Sequence, residues 1–325
     1  MAQRPQLPLE PLTQINPGFD KDGVYWRSSQ AANCSLVGAQ VNMQGGRAGV
    51  ISDMTPVFIS PIMSDVLIQV AKGNLMTTMW GVRRHMLRNP VTTRVRVVDL
   101  TRPDAATTNM KEHAIYDEIE SGEAIYEGCS GKNIPAQLLQ IRLAGNRNDP
   151  KWANQRRIVV NDIHGDEVGQ LRGAGRAAFA VSIKDSGPNG EVVLNNPFLR
   201  TIQQTQVSKR SDGTWADSFA AVCIEYCKSF TWTGGYVGYK NPKMVAVQLF
   251  DYANKSNKQT GPEEIVIDGV EFDRGNGITL RLDDTTRKVD IRNCTGNGII
   301  TVFKMAADGI YRVWKQVPLS QGFTF

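Results

Sequence analysis

Side chains able to do chemistry are sparse in this chain. Three histidines occur, His85, His113 and His164, and none stands at metal-motif spacing from another or from a cysteine. The densest titratable segment is Asp162-Ile163-His164-Gly165-Asp166-Glu167, whose acids and imidazole could hold a metal or share a proton. Its setting points elsewhere. It lies between the apolar run Ile158-Val159-Val160 and Val168, with Gly165 at its centre, as the polar apex of a hairpin should. Nothing else in the chain supplies the remaining parts of a catalytic constellation, so a hydrolase built on His164 ranks last among the functions considered.

Cys223 and Cys227 are separated by three residues instead of two, and no second pair follows at finger spacing. They read as small buried hydrophobes. With Cys34, Cys129 and Cys294 they make an odd, sparse set of five, expected to stay reduced in a chain without a disulfide framework. Asp117, Glu118, Glu120, Glu123 and Glu127 form an acidic stretch, but their order does not match a calcium loop, and a solvated strand face is the default. Gly173-Ala174-Gly175 and Gly45-Gly46-Arg47-Ala48-Gly49 complete neither phosphate-binding glycine pattern, and no Gly-x-Ser-x-Gly elbow occurs. No catalytic residue, metal or cofactor is assigned, and the chain is not expected to be an enzyme.

Two recognition chemistries stay open. The densest basic group is Arg83, Arg84, His85, Arg88, Arg94 and Arg96. Overall, however, 37 Lys and Arg oppose 32 Asp and Glu for a net charge of +5, too balanced for a dedicated nucleic-acid binder. A strand edge kept basic against unwanted pairing is favoured, and nucleic acid is expected only by proximity through this Arg83–Arg96 patch. The six tryptophans raise a carbohydrate- or receptor-binding alternative. The segment Trp232-Thr233-Gly234-Gly235-Tyr236-Val237-Gly238-Tyr239 would suit an exposed loop, with Trp232, Tyr236 and Tyr239 as candidate ligand-stacking residues. The competing expectation is a core role with the polar tip satisfied.

The elements that must position these groups are short. Hydrophobic content of 41% over 325 residues supports a folded chain with a sizeable core. Runs rich in β-branched and aromatic residues recur about every ten residues between turn signals, the mark of an all-β protein. Lys72-Gly73-Asn74, Ser121-Gly122, Ser186 to Gly190, Asp212-Gly213 and Asp308-Gly309 are read as hairpin turns. Within residues 279–283 and 288–292 apolar and polar residues alternate, so one face is buried and the other wet. Residues 219–230 fit either a helix or a strand, and strand is favoured. No fixed-period repeat emerges.

The expected fold is therefore mainly β, with antiparallel hairpins and a meander forming one or two sandwich- or barrel-like domains behind an extended N-terminal arm. The division is 1–50 for the arm and a polar Gly-rich segment, 51–252 for the main β domain and 263–325 for the C-terminal antiparallel meander. Pro5, Pro8, Pro11 and Pro17 keep the arm extended instead of in a sheet. No secretory h-region and no run long enough for a membrane helix is present, so no membrane partner is expected.

One segment resembles a known class. Asn16-Pro17-Gly18-Phe19-Asp20-Lys21-Asp22-Gly23-Val24-Tyr25-Trp26, then Ala31-Ala32-Asn33-Cys34 to Asn42, then Gly45-Gly46-Arg47-Ala48-Gly49, resembles the N-terminal segment of tailed-bacteriophage virion proteins of the tail-tube, nozzle or head–tail-interface kind. Nozzle proteins are usually much longer, so a smaller interface or decoration protein fits the length better. The resemblance implies a structural subunit made in the host cytoplasm, located in the virion and partnered by copies of itself and other virion proteins. It also implies an assembly arm using Pro5, Pro8, Pro11, Pro17, Trp26 and Arg47, because extended arms add interface area without a larger core.

Overall fold

The computed structural model describes residues 12–18, 21–32, 34–71, 80–100, 113–144, 153–168, 178–184, 186–202, 219–224, 227–239, 245–249, 262–273, 277–282, 286–307 and 311–325. The mainly β class expected from the sequence is what the structure has: large sheets enclosing a common core, with no described helix beyond short 3-10 turns. No described helix is long and apolar enough to cross a membrane.

The pairing of the strands corrects the expected hairpins. Each strand lies parallel to one from the neighbouring turn of the chain instead of antiparallel to its sequence neighbour. Ala178–Lys184 pairs with Leu139–Leu143 and Phe219–Ile224, and Gly187–Asn195 pairs with Arg156–Asn161 and Cys227–Thr233. Phe198–Ile202 pairs with His164–Asp166 and Tyr236–Tyr239. The described strands therefore wind as a parallel β-solenoid whose successive coils stack on three sheet faces, each coil contacting its neighbours. Ile115–Glu127 shows the winding within one strand. Its residues 115–121 pair with Trp80–Arg88, whereas residues 125–127 pair with Val91–Thr93. The antiparallel pairings among the described residues are Ile299–Met305 with Tyr311–Pro318, as the Asp308-Gly309 signal led one to expect, and Lys288–Arg292 with Phe323–Thr324. Residues 219–224 and 227–233 are strands, as favoured.

A turn dipeptide cannot distinguish reversal from winding. Both need a residue that tolerates positive φ. At the corner between the second and third sheets Gly38, Asp65, Arg94, Gly128, Asp162, Asn196, Gly234, Gly269 and Asn293 stack with φ of +47° to +69°. Their amides join the coils: Asp162 donates to the Asn195 carbonyl at 2.9 Å, Asn196 to Thr233 at 2.8 Å and Gly234 to Asp268 at 2.8 Å. Spacing along the corner runs from 24 residues, Gly269 to Asn293, to 38, Asn196 to Gly234. Three successive steps, from Arg94 through Gly128 and Asp162 to Asn196, are each 34 residues, and the unequal steps on either side keep that period from running the length of the chain.

One hydrophobic cluster fills the coil from Trp26 through Val160 and Trp232 to Ile291 and Phe323. Strand Ala48–Ser52 runs through the expected boundary at 51, and across that at 253–262 Cys227–Thr233 pairs directly with Glu264–Asp268. Alternation holds where it was read: Leu280, Leu282, Val289 and Ile291 point inward.

Candidate functional site

Where it is described, the N-terminal arm is part of a sheet instead of lying outside one. Pro5, Pro8 and Pro11 lie outside the described residues. Thr13–Ile15 is a sheet strand, in parallel register with residues 39–41, and Gln14 donates to Gln40 at 3.1 Å. Pro17 follows it, half-buried. Trp26 is a core residue, its ring 5.4 Å from the Arg84 guanidinium. Arg47 clips the turn shut: its backbone N–H donates to Asp22 Oδ1 at 2.7 Å and its guanidinium to Asp22 Oδ2 at 2.6 Å. Gly46 has φ +86°, and a Cβ there would stand 2.4 Å from the Lys21 carbonyl. The Gly-Gly-x-Arg motif is thus explained locally, as a turn that closes the first coils.

The basic and acidic stretches, read separately as solvated faces, neutralise each other across coils. Arg84 meets Asp117 at 2.5 Å with both side chains fully buried, His85 Nδ1 meets Glu118 at 2.9 Å, and Arg88 meets Glu120 at 3.0 Å. Arg94 donates to Asp65 at 2.6 Å, and Arg83 stacks on Trp80 at 4.2 Å. Burial would raise Glu118, but hydrogen bonds with His85 and Tyr116 outweigh it and hold the carboxyl below its ordinary range. Tyr116 is pushed up to about 12 by burial and by Glu118.

His164 is in a short third-sheet strand, His164–Asp166, and not at a hairpin apex. Its ring stacks on Phe198 at 4.8 Å, and Phe198 on Tyr236 at 5.1 Å. Ladder stacking of this kind covers the flat faces of the rings with one another. Trp232 is fully buried, and its indole N–H donates to the Gly234 carbonyl at 2.9 Å. The expected exposed aromatic loop is thereby corrected, because the inward positions of the strand claim Phe230 and Trp232 alike. The Tyr239 side chain lies outside the described residues, as do Gly173-Ala174-Gly175 and Asp212-Gly213. All five cysteines are buried and stand outside any disulfide; burial pushes Cys129 up to about 12. No metal-holding group of three or more His, Cys, Asp or Glu exists among the described residues.

Among the described residues, two outer surfaces carry apolar side chains in a regular arrangement. At the C-terminal end Ile299, Val313, Trp314 and Phe325 are 50%, 55%, 46% and 42% exposed. Trp314 is the extra residue of a β-bulge, since Val302 faces Lys315 and Phe303 faces Val313. A bulge re-aims the side chain it carries. Lys304 Nζ lies 3.6 Å from the Trp314 ring centroid.

The second surface is the outer face of the second sheet. Ile125, Val159, Val193, Thr231 and Val266 stand in one register row, with Ile62 and Val91 continuing it toward the N-terminal coils. All are at least partly exposed. On one side runs Glu123, Arg157, Glu191, Ser229, Glu264, Lys288, and on the other Glu127, Asn161, Asn195, Thr233, Asp268, Arg292. Sequence reasoning missed this stripe, although a signal for it exists. Ile158-Val159-Val160, Val192-Val193-Leu194 and Ile265-Val266-Ile267 are unbroken apolar triplets in strands that otherwise alternate, so their middle residues must face outward.

Compared with family models, curated proteins and solved structures, the chain gives no match.

Proposed function

We propose that the chain is a non-catalytic structural subunit of a tailed-phage particle, acting through contacts with copies of itself and with other virion proteins. The carrying observation is the C-terminal end of the solenoid, where the exposed rings of Trp314 and Phe325 meet edge to face at 5.9 Å and Val313 is exposed next to Trp314 in the strand. Clustered exposure of this kind marks an association surface. The resemblance of residues 16–49 to virion proteins supports the particle, and the neutralised charges and buried thiols support a role without turnover. The arm is not the contact favoured here, because Trp26 and Thr13–Ile15 are already used within the coil.

A carbohydrate- or receptor-binding module is the alternative. Of its two described anchors, Trp232 is in the core and Tyr236 shares its face with Phe198. Light scattering coupled to size-exclusion chromatography tests the assembly reading on the full chain and on Val313→Asp and Trp314→Asp. The expected result is an oligomer larger than a dimer that shrinks in both variants. A monomer throughout sinks it and makes binding to a glycan array the next measurement.

A further inference from the structure

The stripe on the second sheet has a charge order that fits itself in reverse. The rung of Ile125 carries two carboxylates, Glu123 and Glu127, while the last rung, that of Asp290, carries Lys288 and Arg292. Between them Val193 and Thr231 are flanked by Asn195, Thr233, Ser229 and a single charge, Glu191. We propose that two copies of this chain pack second sheet against second sheet, related by a two-fold axis parallel to the strands, with their solenoid axes antiparallel and Val193 of one copy over Thr231 of the other.

Such a two-fold reverses the order of rungs and keeps each flanking row over itself. Glu123 then meets the partner copy's Lys288, Glu127 meets Arg292, Arg157 meets Glu264, and Asn161 meets Asp268. No like charges meet. A two-fold along the solenoid axis would instead lay the first flanking row on the second, placing Glu123 on Glu127, Glu264 on Asp268 and Lys288 on Arg292. Like charges facing each other at an interface cost several kcal/mol, which decides between the two arrangements. Five of the six middle residues are β-branched and suit sheet-on-sheet packing, where two faces approach to about 10 Å, while the sixth, Asp290, paired with Arg292 of its own copy, lies over Ile125 at the edge of the patch.

Area sets the strength. Six rungs at about 4.8 Å and five residues at about 3.3 Å make a patch on the order of 475 Å² per copy in flat projection. The total is on the order of 950 Å², just below the roughly 1,000 Å² of a specific stable interface. The dimer is therefore reversible and concentration-dependent by itself. The inference rests on the assembly reading only in taking the chain to be a subunit; its surface is separate from the C-terminal end.

The test uses the full chain carrying Trp314→Asp, which removes the end contact, in sedimentation velocity over a concentration series. A dimer is expected there. Glu123→Lys alone and Lys288→Glu alone should each raise its dissociation constant about tenfold, and the two together should restore it. Val193→Lys, at the centre of the stripe and pointing outward, should also abolish the dimer, with thermal melts confirming that each variant folds. A dimer indifferent to these changes, or a monomer in this background while the unsubstituted chain still assembles, overturns stripe pairing and leaves the assembly reading intact. A monomer in every form overturns both.

Discussion

Arg84 and Asp117, from strands on adjacent coils, form an ion pair sealed inside the solenoid, with Arg84 Nη2 2.5 Å from Asp117 Oδ2 and neither side chain exposed. Arg84 also donates to Thr92 at 2.7 Å, and Tyr126 donates to Asp117 at 2.6 Å. Burial works against the Arg84 charge, and the facing carboxylate overcomes it. Desolvation of two ions roughly offsets their attraction, so the pair adds little by itself, but removing one partner strands the other. Asp117→Ala is expected to lower the unfolding free energy by about 3–5 kcal/mol. Arg84→Met combined with Asp117→Leu should cost clearly less, and urea denaturation of the three proteins decides. A double variant as damaged as the single one would mean that the pair itself, not the stranded charge, holds the coils.

Glu118 gives the fold a dependence on acid. Its folded-state pKa is depressed, so it contributes stability above the unfolded glutamate value of about 4.3. That contribution is lost as pH falls through the lower folded value. The difference in melting temperature between the native chain and Glu118→Gln should therefore be largest near neutrality and shrink below pH 4. A difference that stays constant from pH 7 to pH 3 would show that the carboxylate is not what His85 and Tyr116 hold.

The stacked corner predicts which residues may be exchanged. Gly269 has φ +69°, and a Cβ added there would meet nothing within 4 Å, while Asn196 and Asn293 occupy equivalent corners at +47° and +54°. Gly269→Asn should change stability by only a few tenths of a kcal/mol, because Asn tolerates this region. Asn196→Val should cost about 1–3 kcal/mol, since a β-branched residue is strained there. Chemical denaturation measures both, and equal costs would remove the corner from the account of the fold.

Much of this was present in the chain before it folded. The β-branched runs, the Gly, Asn and Asp that tolerate positive φ, and the alternation of residues 279–282 and 288–292 follow from short-range sterics, so local sequence settles strand content and where the chain turns. Reduced, buried cysteines likewise follow from their small apolar character. What a strand pairs with is not local. Asp162, Asn196 and Gly234 allow a hairpin or a corner equally, and only the packing of Val160, Leu194 and Trp232 into one core selects winding over reversal. That choice brings Arg84 to Asp117 and His85 to Glu118, which lie 33 residues apart, and sets Val159 beside Val193 and Ile125. Coulomb attraction and burial act on distance in space, so the partners of these charges and the outward stripe exist only once the coils are stacked.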